Sequence, residues 1–326
     1  MGDFLRVLRF ELLRMAHRPV RLAVSMACLC LCLPLSYATM ESAAMLAQSD
    51  AAGATALDVF YASINTREVV GMLLPLAIGV HIVDILGGDL ETGMACAVLP
   101  RLKAPVWAWP AKAFSCLIVS TLCVLLLWTL CFSFDAVACG MPIGDGSPST
   151  WLSYEGDYAT AFEADPARFQ IMQPLPGSWS ILAFELYAVA AYSVFYAGAF
   201  LLIAALCAGS RNRRAPLIAS SVAVLTVWGI HGMVYMWNSE WLARIMSLAG
   251  VDAPSLYAQP LYWLMPIGYR LGAGFFSQGV EVVLDGVGER MFGHVAASTA
   301  LIPMALLLMA GILGAWKTRD GWRRLL

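Results

Sequence analysis

The stretch "AFSCLIVSTLCVLLLWTLCFSF", Ala113–Phe134, runs twenty-two residues without a charge and is closed by Lys112 on one side and Asp135 on the other. A bilayer core takes roughly 20 apolar residues as a helix. In lipid every backbone N–H and C=O needs an internal partner, so such a segment can cross only as a helix. Five further runs of similar character lie around it: Leu22–Met40, Val69–Gly88, Leu186–Cys207, Ala215–Trp237 and Val295–Trp316. The expected fold class is therefore all-α integral membrane, a single transmembrane domain over 1–326 with six helices.

Composition agrees. Of 326 residues, 60% are hydrophobic and 13% charged, with a mean hydropathy of +0.73. Soluble domains have about 45–50% apolar and about 25% charged residues. The net charge of −2 gives no reason to expect a nucleic-acid partner. Seven of the nine cysteines fall in apolar runs, where Cys acts as a small hydrophobe. The others are Cys96 and Cys139, so no disulfide between outer loops is expected. Cys28, Cys30 and Cys32 are two apart and turn away from one another on a helix, so no metal site is expected there.

The bases orient the runs. Arg6, Arg9, Arg14, Arg18 and Arg21 precede the first. Arg101, Lys103 and Lys112 lie between the second and third. Arg211, Arg213 and Arg214 lie between the fourth and fifth. Lys317, Arg319, Arg323 and Arg324 follow the sixth. Fifteen of the twenty Lys and Arg thus share one side. The positive-inside rule makes that side cytoplasmic, and an even number of spans puts both termini there. The first run, at ~19 residues, exceeds the 7–15 of a signal core and is expected to stay as a span. The expected location is a membrane, multi-pass.

Residues 3–18, "DFLRVLRFELLRMAHR", suit an amphipathic interfacial helix. Phe4, Leu5, Leu8, Leu12 and Met15 fall on one face, and the arginines are placed to meet anionic lipid. Pro34, Pro75 and Pro303 lie within the runs and predict kinks. Outer regions are expected at 41–68, 135–178 and 238–294. The last holds "SLYAQPLYWLMPIGYRLGAGFF", too broken to span and too apolar for a free loop, which suggests re-entrant or interfacial helices.

The cytoplasmic connection 89–112 is richer than a plain turn requires. It contains Glu91, Gly93, Met94, Val98, Leu99, Pro100, Arg101 and the insert "PVWAWP". With "RFELLR" at Arg9–Arg14, this order of elements resembles the ABC-2 type permeases of ABC transporters. The matching positions are Glu91, Gly93, Leu99, Pro100, Arg101 and Lys112. Met94 stands where that family often has Thr, and the Trp insert is an addition. The resemblance implies a coupling helix at 91–102 that docks on a separate ABC ATPase subunit, and a second permease half in a homo- or heterodimer. It further implies a place in the bacterial plasma (inner) membrane and that the first, second and fifth spans face the dimer. The apolar middle (Met94, Val98, Leu99) would insert into the partner while Glu91 and Arg101 pair at its rim. Lys112 would anchor the third span at the headgroups.

The chain has three lysines, and none sits in the G-x-x-x-x-G-K-[ST] context that cradles phosphate. No cofactor is expected on this chain, and ATP and Mg belong to the partner ATPase. No G-x-S-x-G or H-E-x-x-H occurs either, which weighs against an integral-membrane hydrolase, the main alternative beside a non-transporting sensory or structural subunit. The intramembrane polar candidates are His81, Asp84, Glu185 and His231. His81 and Asp84 share one helical face by spacing. The function these readings favour is the permease subunit of an ATP-driven exporter of hydrophobic or amphipathic cargo such as a peptide, drug or lipid.

Overall fold

The computed structural model describes residues 2–38, 55–56, 59–60, 69–83, 85, 108–143, 172–173, 181–207, 214–225, 278–284, 287–295 and 301–323. The described chain is largely helical. Two helices, Pro19–Ala38 and Ala108–Ala138, are long and apolar enough to cross a membrane. Three shorter apolar stretches, Tyr192–Cys207, Ala215–Leu225 and Met304–Lys317, accompany them.

Helix α1 is Gly2–Ala16. Helix α2 starts at Pro19, where proline fits the first turn because its missing N–H would have no intrahelical acceptor. A turn at Leu31 interrupts it before it resumes over 32–38. Pro34 explains the break: it offers no N–H to the carbonyl of Cys30, and its ring crowds that turn. Pro75 opens α3, Leu74–Ile82, directly after a wider π turn at Val69–Leu73. Helix α4, Ala108–Ser133, ends in a second π turn, Phe134–Ala138. Helix α5 is Ile181–Cys207, α6 is Ala215–Leu225 and α7 is Leu301–Arg323. Pro303 was expected to kink the last span. It lies instead in the first turn of α7, where no hydrogen bond is lost.

The core forms around α3. Leu74, Ala77, Ile78 and Ile82 are fully buried, with α2, α4 and α5 packed on it. Most side chains of α3 are covered by the chain itself, with Leu76 and Val80 half-buried. Helix α2 turns one stripe inward: Ser25, Leu29, Cys32 and Ser36 are buried at the 4-3-4 spacing of one helix face. Ser25 Oγ donates to the Ala77 carbonyl at 3.0 Å. That bond spares the hydroxyl an unsatisfied burial and seats α2 on α3. The other side of α2 carries exposed Val20, Leu22, Val24 and Leu31.

Small residues set the tightest contacts. A Cβ on Gly198 of α5 would stand 2.9 Å from the backbone nitrogen of Leu307 in α7, so glycine allows those two backbones to approach. Their C-terminal ends are joined as well, with Lys317 Nζ donating to the Leu206 carbonyl at 3.1 Å. Trp109, from the insert, lies buried over Gly311 and Gly314 of α7. Toward the Asp135 end, Trp128 packs against Phe60 and Tyr192 with ring centroids 5.9 Å apart in each pair. Tyr192 stacks on Tyr196.

The stretch 255–276, for which re-entrant or interfacial helices were expected, lies outside the described residues; after it, Gln278–Leu284 (β2) and Val287–Val295 (β3) form an antiparallel pair. Met172–Gln173 (β1) joins the far side of β3 at Val295 and His294, giving the order β1-β3-β2. The sixth apolar run was expected to begin helical at Val295, which is the last residue of β3, and the helix starts at Leu301. The rest of 238–277 lies outside the described residues.

Candidate functional site

Charge is concentrated where α1 meets the base of α4. Helix α1 turns Val7, Glu11 and Met15 inward, three positions four apart on one face. The expected apolar face was Phe4, Leu5, Leu8, Leu12 and Met15, yet Leu5 is 54% exposed and Glu11 only 1%. The helix is rotated because Glu11 has a partner to reach. Lys112 Nζ donates to Glu11 Oε1, and the Arg14 guanidinium lies 2.8 Å from Glu11 Oε2. A buried carboxylate without such partners would be strongly disfavoured. Phe4 adds a ring contact with Phe114, centroids 6.1 Å apart.

Both cations also reach the chain just past α3. Lys112 Nζ lies 3.4 Å, and Arg14 3.5 Å, from the Ile85 carbonyl oxygen. A helix end presents carbonyls with no intrahelical donor, and cations there are favourable. One carboxylate, two cations and one carbonyl thus tie α1 to Ile85, just past α3, and to the first turns of α4. This corrects two expectations. Lys112 is an ion-pair partner of Glu11 inside the protein rather than a headgroup anchor. Arg14 faces Glu11, while Arg6 and Arg9 remain exposed.

A second polar pair lies at the opposite end of α4. Asp135 is fully buried, and its Oδ1 accepts a hydrogen bond from Ser36 Oγ at 2.6 Å. Oδ2 has no hydrogen-bond partner among the described residues. The π turn at 134–138 swings Asp135 toward α2 where a regular turn would place it elsewhere. Its carbonyl accepts from the Met141 nitrogen at 3.2 Å, and the Pro142 carbonyl accepts from the Ala56 nitrogen at 2.9 Å.

Of the four intramembrane candidates, His81 is buried on α3. Asp84 and His231 lie outside the described residues, so the pairing of His81 with Asp84 is outside them too. Glu185 falls within α5. The expected docking residues Glu91, Gly93, Met94, Val98, Leu99, Pro100 and Arg101 also lie outside them. Among the described residues no group of three or more His, Cys, Asp or Glu could hold a metal ion.

Sequence reasoning passed over Glu11, Ser36 and Asp135. The signal for Glu11 was present: a lone acid among apolar residues and arginines in "RVLRFELLR", three before Arg14. Asp135 follows a 22-residue uncharged run directly, a position where an acid needs a partner.

No protein-family model matches the chain, and no curated protein or solved structure matches it either.

Proposed function

We propose that this chain is the membrane permease subunit of an ATP-driven exporter of the ABC-2 type, with six spans and both termini in the cytoplasm of a bacterial cell. It pairs with a second permease half and with ABC ATPase subunits that carry ATP and Mg. Movement begins when an ATPase grips the 91–102 segment. The spans then rock and open a cavity to the outside, through which hydrophobic or amphipathic cargo leaves.

One observation supports this reading above the rest: the Glu11–Lys112–Arg14 cluster at Ile85. Ile85 and Lys112 stand just outside the two ends of the 86–111 connection. A chain whose connection receives force needs both of its ends fixed to the spans they feed. A buried ion pair with a shared backbone carbonyl supplies such fixing, because separating it exposes charge to an apolar surrounding.

The test is co-purification. The chain is co-expressed with candidate ABC ATPase subunits from the same cell and captured by a tag on the permease. Wild type should retain the ATPase, and Glu91→Arg or Leu99→Asp should release at least about nine-tenths of it, as loss of a central interface contact does. Equal retention by all three would refute docking at this segment.

A further inference from the structure

We propose that Glu11 is a positioning residue that makes α1, the chain just past α3 and the start of α4 move as one body at the inner face. The proposal deepens the transporter reading and rests on it for the source of the motion. Its geometry is independent of that reading.

The argument starts from what else holds α1. Apart from Glu11, its buried residues are Val7 and Met15; Phe4, Leu8 and Leu12 are half-buried, and Leu5, Phe10 and Leu13 are exposed. These apolar side chains and the Phe4–Phe114 contact seat α1 but do not by themselves fix its rotation or its slide. Van der Waals packing is short-ranged and tolerates small shifts. The ionic contacts do not tolerate them to the same degree. Lys112 and Arg14 both converge on one carboxylate that is 1% exposed, and both point at one carbonyl, that of Ile85. Sliding α1 by one turn would carry Glu11 and Arg14 away together and set Val7 or Met15 opposite Lys112 in place of the carboxylate, so the ion pair favours the observed register.

The roles within the cluster differ. Glu11 is the hub, since both cations pair with its carboxylate. Lys112 is the link to α4 and Arg14 is internal to α1. Neutralising Glu11 should free α1 from both segments together, whereas Lys112→Arg should keep the link because the guanidinium can serve the same carboxylate.

Hydrogen exchange of the full-length chain in lipid nanodiscs, read by peptide mass spectrometry, decides the matter. In Glu11→Gln, amides of α1 and of 108–115 should exchange about ten-fold faster than in wild type. Amides of α5 and α7 should keep their wild-type rates, and Lys112→Arg should stay near wild type throughout. Unchanged exchange at α1 in Glu11→Gln overturns the proposal. Acceleration that extends equally to α5 and α7 also overturns it, since Glu11 would then support the whole fold rather than position one unit. A wild-type chain that binds no ATPase overturns the transporter reading instead, and the exchange comparison still decides the role of Glu11.

Discussion

Ser36 and Asp135 join the far ends of α2 and α4 through a single hydrogen bond of 2.6 Å, ninety-nine positions apart in the chain. Ser25 Oγ lies 3.9 Å from Cys123 Sγ further along the same two helices. Beyond the cluster around Glu11, α4 is thus fastened at both ends, once by charge and once by a hydroxyl on a carboxylate. Between them the described polar groups of α4 include the Cys123 thiol facing Ser25 and hydroxyls that bond back to their own helix, such as Thr121 to Leu117.

The Ser36–Asp135 pair predicts an ordering of variants. Ser36→Ala removes the donor from a fully buried carboxylate and should destabilise the protein by about 1–3 kcal/mol. Asp135→Asn keeps an acceptor for Ser36 and removes the buried charge, so it should cost less than Ser36→Ala. Apparent unfolding midpoints in detergent, followed by circular dichroism, give the comparison. An Asn variant that melts below Ser36→Ala would mean that the charge itself stabilises this end.

Trp109 and Gly314 predict a coupled pair. A Cβ at position 314 would overlap Cζ2 of the indole, so Gly314→Ala must displace a ring that is 6% exposed. Overpacking of this kind costs about 1–3 kcal/mol. The same substitution should cost less than half as much in a Trp109→Ala background, where the space is free. The double-mutant cycle on unfolding midpoints checks this, and additive shifts would show that the indole does not occupy the glycine groove in solution.

How much could be read in advance depends on range. The long uncharged run at 113–134 lies within α4 and its closing turn, because span length and backbone satisfaction are local properties. Pro19, Pro34 and Pro75 likewise mark real interruptions, since proline acts within one turn. The rotation of α1 was not legible, because counting apolar residues puts Leu5 inward while the helix is turned by Glu11 toward a lysine 101 positions away. The burial of α3 had the same cause: an apolar span looks alike whether it meets lipid or protein. The β2–β3 pair was within reach. Asp285-Gly286 between Val-rich runs is a short-hairpin signal, and the paired Leu284 and Val287 flank those two residues. The broken apolar segment before it drew attention to helices instead.

Cys139 offers a test of sidedness and of its own chemistry together. It lies just past the π turn, and its thiol is pushed above the ordinary range by burial and then by the Asp135 carboxylate nearby. The thiolate is the species that reacts with maleimides, so a raised value means slow labelling near neutral pH and a rate that climbs as pH rises toward the thiol's own value. In Asp135→Asn the negative neighbour is gone and the thiol value falls, so labelling at a fixed pH should quicken by a few-fold, the size of a modest shift in thiolate fraction. With a membrane-impermeant maleimide on intact cells, Cys139 should label and Cys96 should not, while both react after lysis if the proposed six-span topology holds. Labelling of Cys96 from outside would invert that topology and remove the cytoplasmic docking role of the 91–102 segment. A Cys139 rate that ignores both pH and residue 135 would show that the carboxylate and the thiol do not sense each other.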